Sequence, residues 1–174
     1  GSDIILNGRN IEKLKKSAEL LNTKQKIFQL CFDVTDYNQT KQCINKFEKE
    51  NKPIDILINN AGMQFRTPLE DFPPEKFELL LKTNVSSVFN VSQAVVKYMI
   101  KRGEGKIINI ASVQTSLARP GIAPYTATKG AVGNITKGMA TDWAKYGIQC
   151  NAIAPGYFDT PLNAALVSDS EFTA

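Results

Sequence analysis

The stretch Ile54-Asp55-Ile56-Leu57-Ile58-Asn59-Asn60-Ala61-Gly62 decides how the rest of the chain is read. Ile54–Ile58 is apolar except for Asp55 and predicts a strand. Asn59-Asn60-Ala61-Gly62 is turn chemistry placed at that strand's carboxyl end. Upstream, Asp3–Asn7 predicts a strand closed by Gly8. A helix follows from about Asn10, a good N-cap, with Ile11, Leu14, Ala18 and Leu21 on one stripe. Ile27–Phe32 predicts a second strand. Thr35 or Asp36 then caps a helix that turns Cys43, Ile44 and Phe47 inward.

Downstream of Gly62, residues 63–73 form a loop, and Pro74 suits the first turn of a helix. Helical periodicity runs from about Glu75 to Ile100, as two helices or one bent one. Phe77, Leu80 and Leu81 mark the first apolar face; Val88, Val95 and Met99 mark the second. Lys106–Ala111 predicts a strand ending at Ser112, and 113–123 a loop. A long helix spans about Pro124 to Tyr146. Gly130, Gly133 and Gly138 weaken it unless another element packs closely there. Ile148–Ala154 predicts the last strand, stopped by Pro155-Gly156.

Strand and helix alternate throughout, and the strands are almost continuously apolar. That pattern implies one α/β domain over residues 1–174, a doubly wound parallel sheet covered on both faces, Rossmann-like in architecture. Such sheets bind ligands beyond the carboxyl ends of their strands. Asp33, Asn59–Gly62, Ser112 and Pro155–Gly156 all fall at those ends and should share one rim.

Composition narrows the function classes. The chain has 174 residues and a formal charge of +4 from 21 basic and 17 acidic side chains. Its lysines interleave with glutamates along helix-like stretches, which reads as solvated faces and argues against nucleic-acid binding. No apolar run is long enough to span a membrane and no signal-peptide pattern opens the chain. The three cysteines, Cys31, Cys43 and Cys150, sit apart in apolar runs and read as buried, reduced thiols of a cytoplasmic protein. The chain has no histidine, so imidazole catalysis is excluded and no metal site is expected.

Tyr125-Thr126-Ala127-Thr128-Lys129 carries the chemistry. A spacing of about one helical turn puts the Tyr125 phenol and the Lys129 ammonium on one face. A free phenol with a pKa of about 10 is a poor proton carrier at neutral pH. A cation held within roughly 4–6 Å favours the phenolate and makes the tyrosine a usable general acid/base. Ser112, at a strand tip, can donate a hydrogen bond to a carbonyl being reduced.

In this order and spacing, Asn59-Asn60-Ala61-Gly62, Asn84 in Leu-Lys-Thr-Asn, Ser112, Tyr125-x-x-x-Lys129 and Pro155-Gly156-x-x-x-Thr160 resemble the short-chain dehydrogenase/reductase family. The resemblance implies hydride transfer between a nicotinamide and a hydroxyl or carbonyl carbon, in a cytoplasmic enzyme. It casts Tyr125 as proton carrier, Lys129 as its activator and ribose ligand, Ser112 as carbonyl polariser, and Asn84 as holder of a relay water. It places the cofactor against Asn60, Ala61, Gly62, Asp33, Val34, Pro155, Gly156 and Thr160. Asp33 also suits a capping role and Thr160 an N-cap. Asn7-Gly8-Arg9-Asn10 carries no carboxylate after its strand, and Arg9 suits a 2′-phosphate, so NADP(H) is preferred with NAD(H) as the alternative. The resemblance also implies a homotetramer packed through the helices at 85–101 and 124–146, where Val88, Val95 and Met99 serve that contact or the core.

The family's glycine-rich phosphate loop does not occur in these residues. The chain therefore reads as an internal segment, lacking the first βα unit and the last crossover, that should neither fold stably nor bind the pyrophosphate. With that first strand absent, apolar strand edges should face solvent. Within the family, Gly62-Met63-Gln64-Phe65-Arg66, Ser112-Val113-Gln114, Leu117-Ala118-Arg119 and Ala154-Pro155-Gly156-Tyr157-Phe158 are most similar to the gluconate 5-dehydrogenases. A small sugar acid needs a cation for its carboxylate and amides for its hydroxyls. Gln64, Arg66, Gln114, Arg119 and Tyr157 are the candidate substrate residues. A 3-oxoacyl carrier-protein reductase, a 2-deoxygluconate 3-dehydrogenase, or a catalytically silent cofactor-binding scaffold are the alternatives.

Overall fold

The computed structural model describes residues 1–156 and bears out the alternation of strand and helix. Strand β1 (Ile4–Gly8) pairs in parallel with β2 (Ile27–Cys31), Ile4 opposite Ile27 and Gly8 opposite Cys31. Strands β3 (Ile56–Asn59), β4 (Gly105–Ile110) and β5 (Ile148–Ile153) form a second parallel ladder in that order, with Ile107 between Leu57 and Cys150. The expected single sheet is thus two ladders, interrupted between β1 and β3. On β3, Ile56 is 50% and Ile58 58% exposed. One core nonetheless spans both ladders, joining Phe32, Ile44 and Phe47 to Val88, Val95, Met99 and Ile107.

Helix α1 (Ile11–Glu19) starts at Asn10, whose side chain accepts from the Lys13 N–H at 2.9 Å. Of its stripe, Leu14 is buried while Ile11 and Leu21 stay exposed. Helix α2 (Tyr37–Glu50) is capped by Asp36 rather than Thr35, and Ile44 and Phe47 fill the core. Helix α3 (Pro74–Leu81) buries Leu80 but leaves Phe77 and Leu81 exposed, a correction to its expected face. It runs through a π-helical turn, Lys82–Ser86, directly into α4 (Ser87–Arg102). The bend foreseen in this stretch is that widened turn, and Asn84 sits inside it. Such turns are frequent at functional sites. Val88, Val95 and Met99 all belong to the core.

Helix α5 (Ala123–Trp143) tightens into a 3-10 turn, Ala144–Tyr146, before β5. At Gly133 a side chain would place its Cβ 2.5 Å from the Thr115 methyl, so the absence of one lets the loop after β4 press onto the helix. Gly138 has no such neighbour. A buried polar chain crosses the molecule below the rim. The Asn59 amide donates to Ser92 Oγ and to Asn109 Oδ1, both at 2.8 Å. The Asn109 amide then donates to Thr136 Oγ1 at 2.9 Å, so β3, β4, α4 and α5 are joined through satisfied groups. All three cysteines are free, but the expectation that each is buried fails at Cys31, which is exposed at the end of β2, and is met only in part at Cys43, which is half-buried. Cys150 is buried, and burial pushes its thiol up to about 11.

Candidate active site

The β4 strand ends at Ile110, and two residues later Ser112 caps a 3-10 turn, Val113–Thr115, its Oγ accepting from the Gln114 N–H at 3.2 Å. The turn is strapped to α5 by Thr115. Its hydroxyl donates to the Lys129 carbonyl at 3.2 Å and accepts from the Ser112 N–H at 3.4 Å. On the same turn of α5, the Lys129 side chain reaches back to β4, and Nζ donates to the Ile110 carbonyl at 2.6 Å. Nζ also stands 5.7 Å from the centre of the Tyr125 ring. Lys129 is 7% exposed, and burial alone lowers its pKa to about 8.

Asn84 closes the other side. Its Oδ1 accepts from the Met63 N–H at 2.8 Å and its Nδ2 donates to the Met63 carbonyl at 2.9 Å. The second Nδ2 hydrogen goes to Thr128 Oγ1 at 3.1 Å, and Thr128 Oγ1 donates to the Tyr125 carbonyl at 2.7 Å. One chain of contacts therefore runs from the strand tip at Met63 through Asn84 and Thr128 to Tyr125 and Lys129, and on through Thr115 to Ser112. The four residues expected to do chemistry are brought together. Thr115 and Thr128, which hold them, carry no role that the sequence motifs assign. The available signal was position: Thr128 follows Tyr125 by three residues and so shares its helix face.

The residues expected to border a dinucleotide lie at strand ends. Asn60, Ala61 and Gly62 are exposed beyond β3. A Cβ at Gly62 would meet the Asn84 amide oxygen at 3.5 Å, an ordinary contact, so Gly62 packs beside Asn84. Pro155 accepts from the Val113 N–H at 3.0 Å, which sets Pro155-Gly156 beside the Ser112 turn. Beyond β1 and β2, Arg9 and Asp33 face each other at 3.9 Å. Burial alone would raise the Asp33 carboxyl; hydrogen bonds from Thr35 and the charges of Arg9 and Lys82 outweigh it and hold the group below the ordinary aspartate range. Asp33 thus accepts from the Thr35 N–H while Asp36 does the capping of α2. The Val34 carbonyl lies 3.4 Å from the Asn90 amide, against α4.

Of the substrate candidates, Arg66 donates to Gln64 Oε1 at 3.3 Å. Arg66 also lines an open groove of about 640 Å³ with Pro120 and Gly121, the residues that follow Arg119. The Thr67 N–H donates to the Gly121 carbonyl and ties the two loops. Gln114, two residues after Ser112, is buried with its Oε1 unpaired. Tyr157 and Thr160 lie outside the described residues.

Compared with known proteins, residues 1–171 match the short chain dehydrogenase family. The chain belongs to that family. It is 53% identical to the gluconate 5-dehydrogenase of Gluconobacter oxydans (strain 621H), over 99% of this chain and 68% of that protein. It is 42% identical to the 5-keto-D-gluconate 5-reductase of Escherichia coli (strain K12), over 100% and 69%. Among solved structures it resembles a gluconate 5-dehydrogenase from Burkholderia cenocepacia J2315, in complex with NADP and tartrate. The TM-score is 0.92 and the identity 51%, over 97% of this chain and 66% of that one. The chain spans about two thirds of the length of these relatives. As a short-chain dehydrogenase it has the Rossmann-like fold of NAD(P)-linked oxidoreductases.

Proposed function

We propose that this protein transfers a hydride between NADP(H) and a hydroxyl or keto carbon of a sugar acid of the gluconate/5-ketogluconate kind. The observation that carries the reading is the desolvated Lys129 ammonium against the Tyr125 ring, on a helix strapped to the Ser112 turn. Bound at the rim, a nicotinamide supplies or accepts the hydride.

The chain's own residues do the rest. Tyr125 exchanges the proton with the substrate oxygen, and the neighbouring ammonium favours its phenolate. Ser112 Oγ donates to the same oxygen. Lys129 spends one N–H on Ile110, which leaves two for ribose hydroxyls. Both hydrogens of the Asn84 amide are already spent, so a relay water at this residue hangs from its main chain. Asn60, Ala61, Gly62, Pro155 and Gly156 border the cofactor, as does Thr160. Asp33 and Val34 meet its adenine, and Arg9 takes a 2′-phosphate and gives the preference for NADP(H) over NAD(H).

The Arg66 groove takes the substrate carboxylate, with Arg119, Gln64, Gln114 and Tyr157 for the remaining oxygens. The protein works in the cytoplasm as a homotetramer packed through α4 and α5. Phe89, exposed on α4, is available to that contact now that Val88, Val95 and Met99 are committed to the core.

Absorbance at 340 nm tests this with the full-length protein. Consumption of NADPH with 5-ketogluconate but not with an acetoacetyl thioester is expected. The reverse preference would make it an acyl thioester reductase, and no turnover with either would leave a silent scaffold.

A further inference from the structure

Thr128 is fully buried between the two candidate catalytic helices. A hydroxyl has one hydrogen and can accept as well. Here the hydrogen goes to the Tyr125 carbonyl and the oxygen accepts from Asn84, itself 1% exposed. Asn84 in turn exchanges two hydrogen bonds with the Met63 main chain. One hydrogen-bonded path from Met63 to the first turn of α5 therefore runs through the Thr128 hydroxyl, beside the Thr67–Gly121 tie between the loops that precede the helix.

We propose that Thr128 is a positioning residue, a strut that fixes the Tyr125 turn relative to the Asn84 turn and the Asn60–Met63 strand tip. Its kinetic consequence rests on the hydride-transfer reading; the strut itself does not. Without the hydroxyl, one Asn84 amide hydrogen has no partner in a dry site, and the amide must turn to find one. Met63 then loses the grip of Asn84, and the phenol loses its fixed distance from the rim. A threonine that merely filled space would be replaced without loss by valine, its near isostere. Serine keeps the hydroxyl and gives up only the methyl.

The test compares full-length Thr128→Val and Thr128→Ser with the wild type. Hydrogen exchange at the Met63 amide should accelerate by about tenfold or more in Thr128→Val and return towards wild type in Thr128→Ser. Well below the melting temperature, kcat should fall by about 10- to 100-fold in Thr128→Val, the cost of a catalytic group displaced by about 1 Å, with KM for NADPH within about threefold. Should Thr128→Val not fold, the contrast between Thr128→Ala and Thr128→Ser reads the same hydroxyl. Unchanged Met63 exchange in the variant lacking the hydroxyl overturns the strut, and so does a serine variant as defective as the valine one. A wild-type protein without turnover refutes the functional reading alone, since amide exchange still decides the strut.

Discussion

Lys129 Nζ and the Ile110 carbonyl oxygen are 2.6 Å apart, which pins the ammonium to the last residue of β4 in a site where burial lowers its pKa to about 8. Unfolded, the same group titrates near 10.5. Below about pH 8 both states carry the proton and the desolvation cost is constant. Between about 8 and 10.5 the unfolded chain holds more protons than the folded one, so stability rises with pH. Cys150 acts in the opposite sense between 9.0 and about 11, because its thiol stays protonated longer when folded. The two effects separate in a difference measurement. Urea titrations without dinucleotide should show wild type gaining about 3 kcal/mol on Lys129→Met between pH 8 and 10.5, since Cys150 is common to both. A difference that does not change with pH would mean the ammonium is not desolvated.

Gly133 and Thr115 give a second prediction. A methyl at 133 would sit 2.5 Å from Thr115 Cγ2, and Thr115 is the strap between Ser112 and Lys129. Gly133→Ala should therefore cost about 1–3 kcal/mol by overpacking, despite alanine's better helix propensity, and should lower kcat as the strap shifts. Adding Thr115→Ser removes the offending methyl and keeps the hydroxyl, so the double variant should recover most of both losses. Thermal denaturation and initial rates read the two effects; a stabilised, fully active Gly133→Ala would refute the close approach.

Much of this site was legible because its chemistry needs particular side chains at strand tips and one helical turn apart. Asn84, Ser112, Tyr125 and Lys129 stand out in the sequence for that reason, and the structure links them through Thr115 and Thr128. Thr115 and Thr128 were not legible, since a buried threonine on a helix or in a turn looks like any other until a partner from a distant segment arrives. The same holds for Asn109 and Thr136, whose buried polar chain depends on three elements meeting. The exposed Ile56, Ile58 and Cys31 show the limit of periodicity: an apolar run marks a strand but not which neighbours cover it.

The Arg9–Asp33 pair carries a prediction about cofactor choice. The 3.9 Å pair holds the guanidinium beside the rim with its side chain mostly in solvent, ready to exchange a carboxylate for a phosphate. Arg9→Ala should raise KM for NADPH by about tenfold or more and change that for NADH by less than about threefold. Equal effects on both cofactors would assign Arg9 a general electrostatic role and remove it from the 2′-phosphate.

One oxygen atom, the Tyr125 hydroxyl, decides whether this tyrosine carries the proton. The full-length Tyr125→Phe variant should bind NADPH, seen as enhanced nucleotide fluorescence, yet show no decrease in absorbance at 340 nm when 5-ketogluconate is added. Turnover persisting in that variant at more than about one thousandth of the wild-type rate would contradict the account.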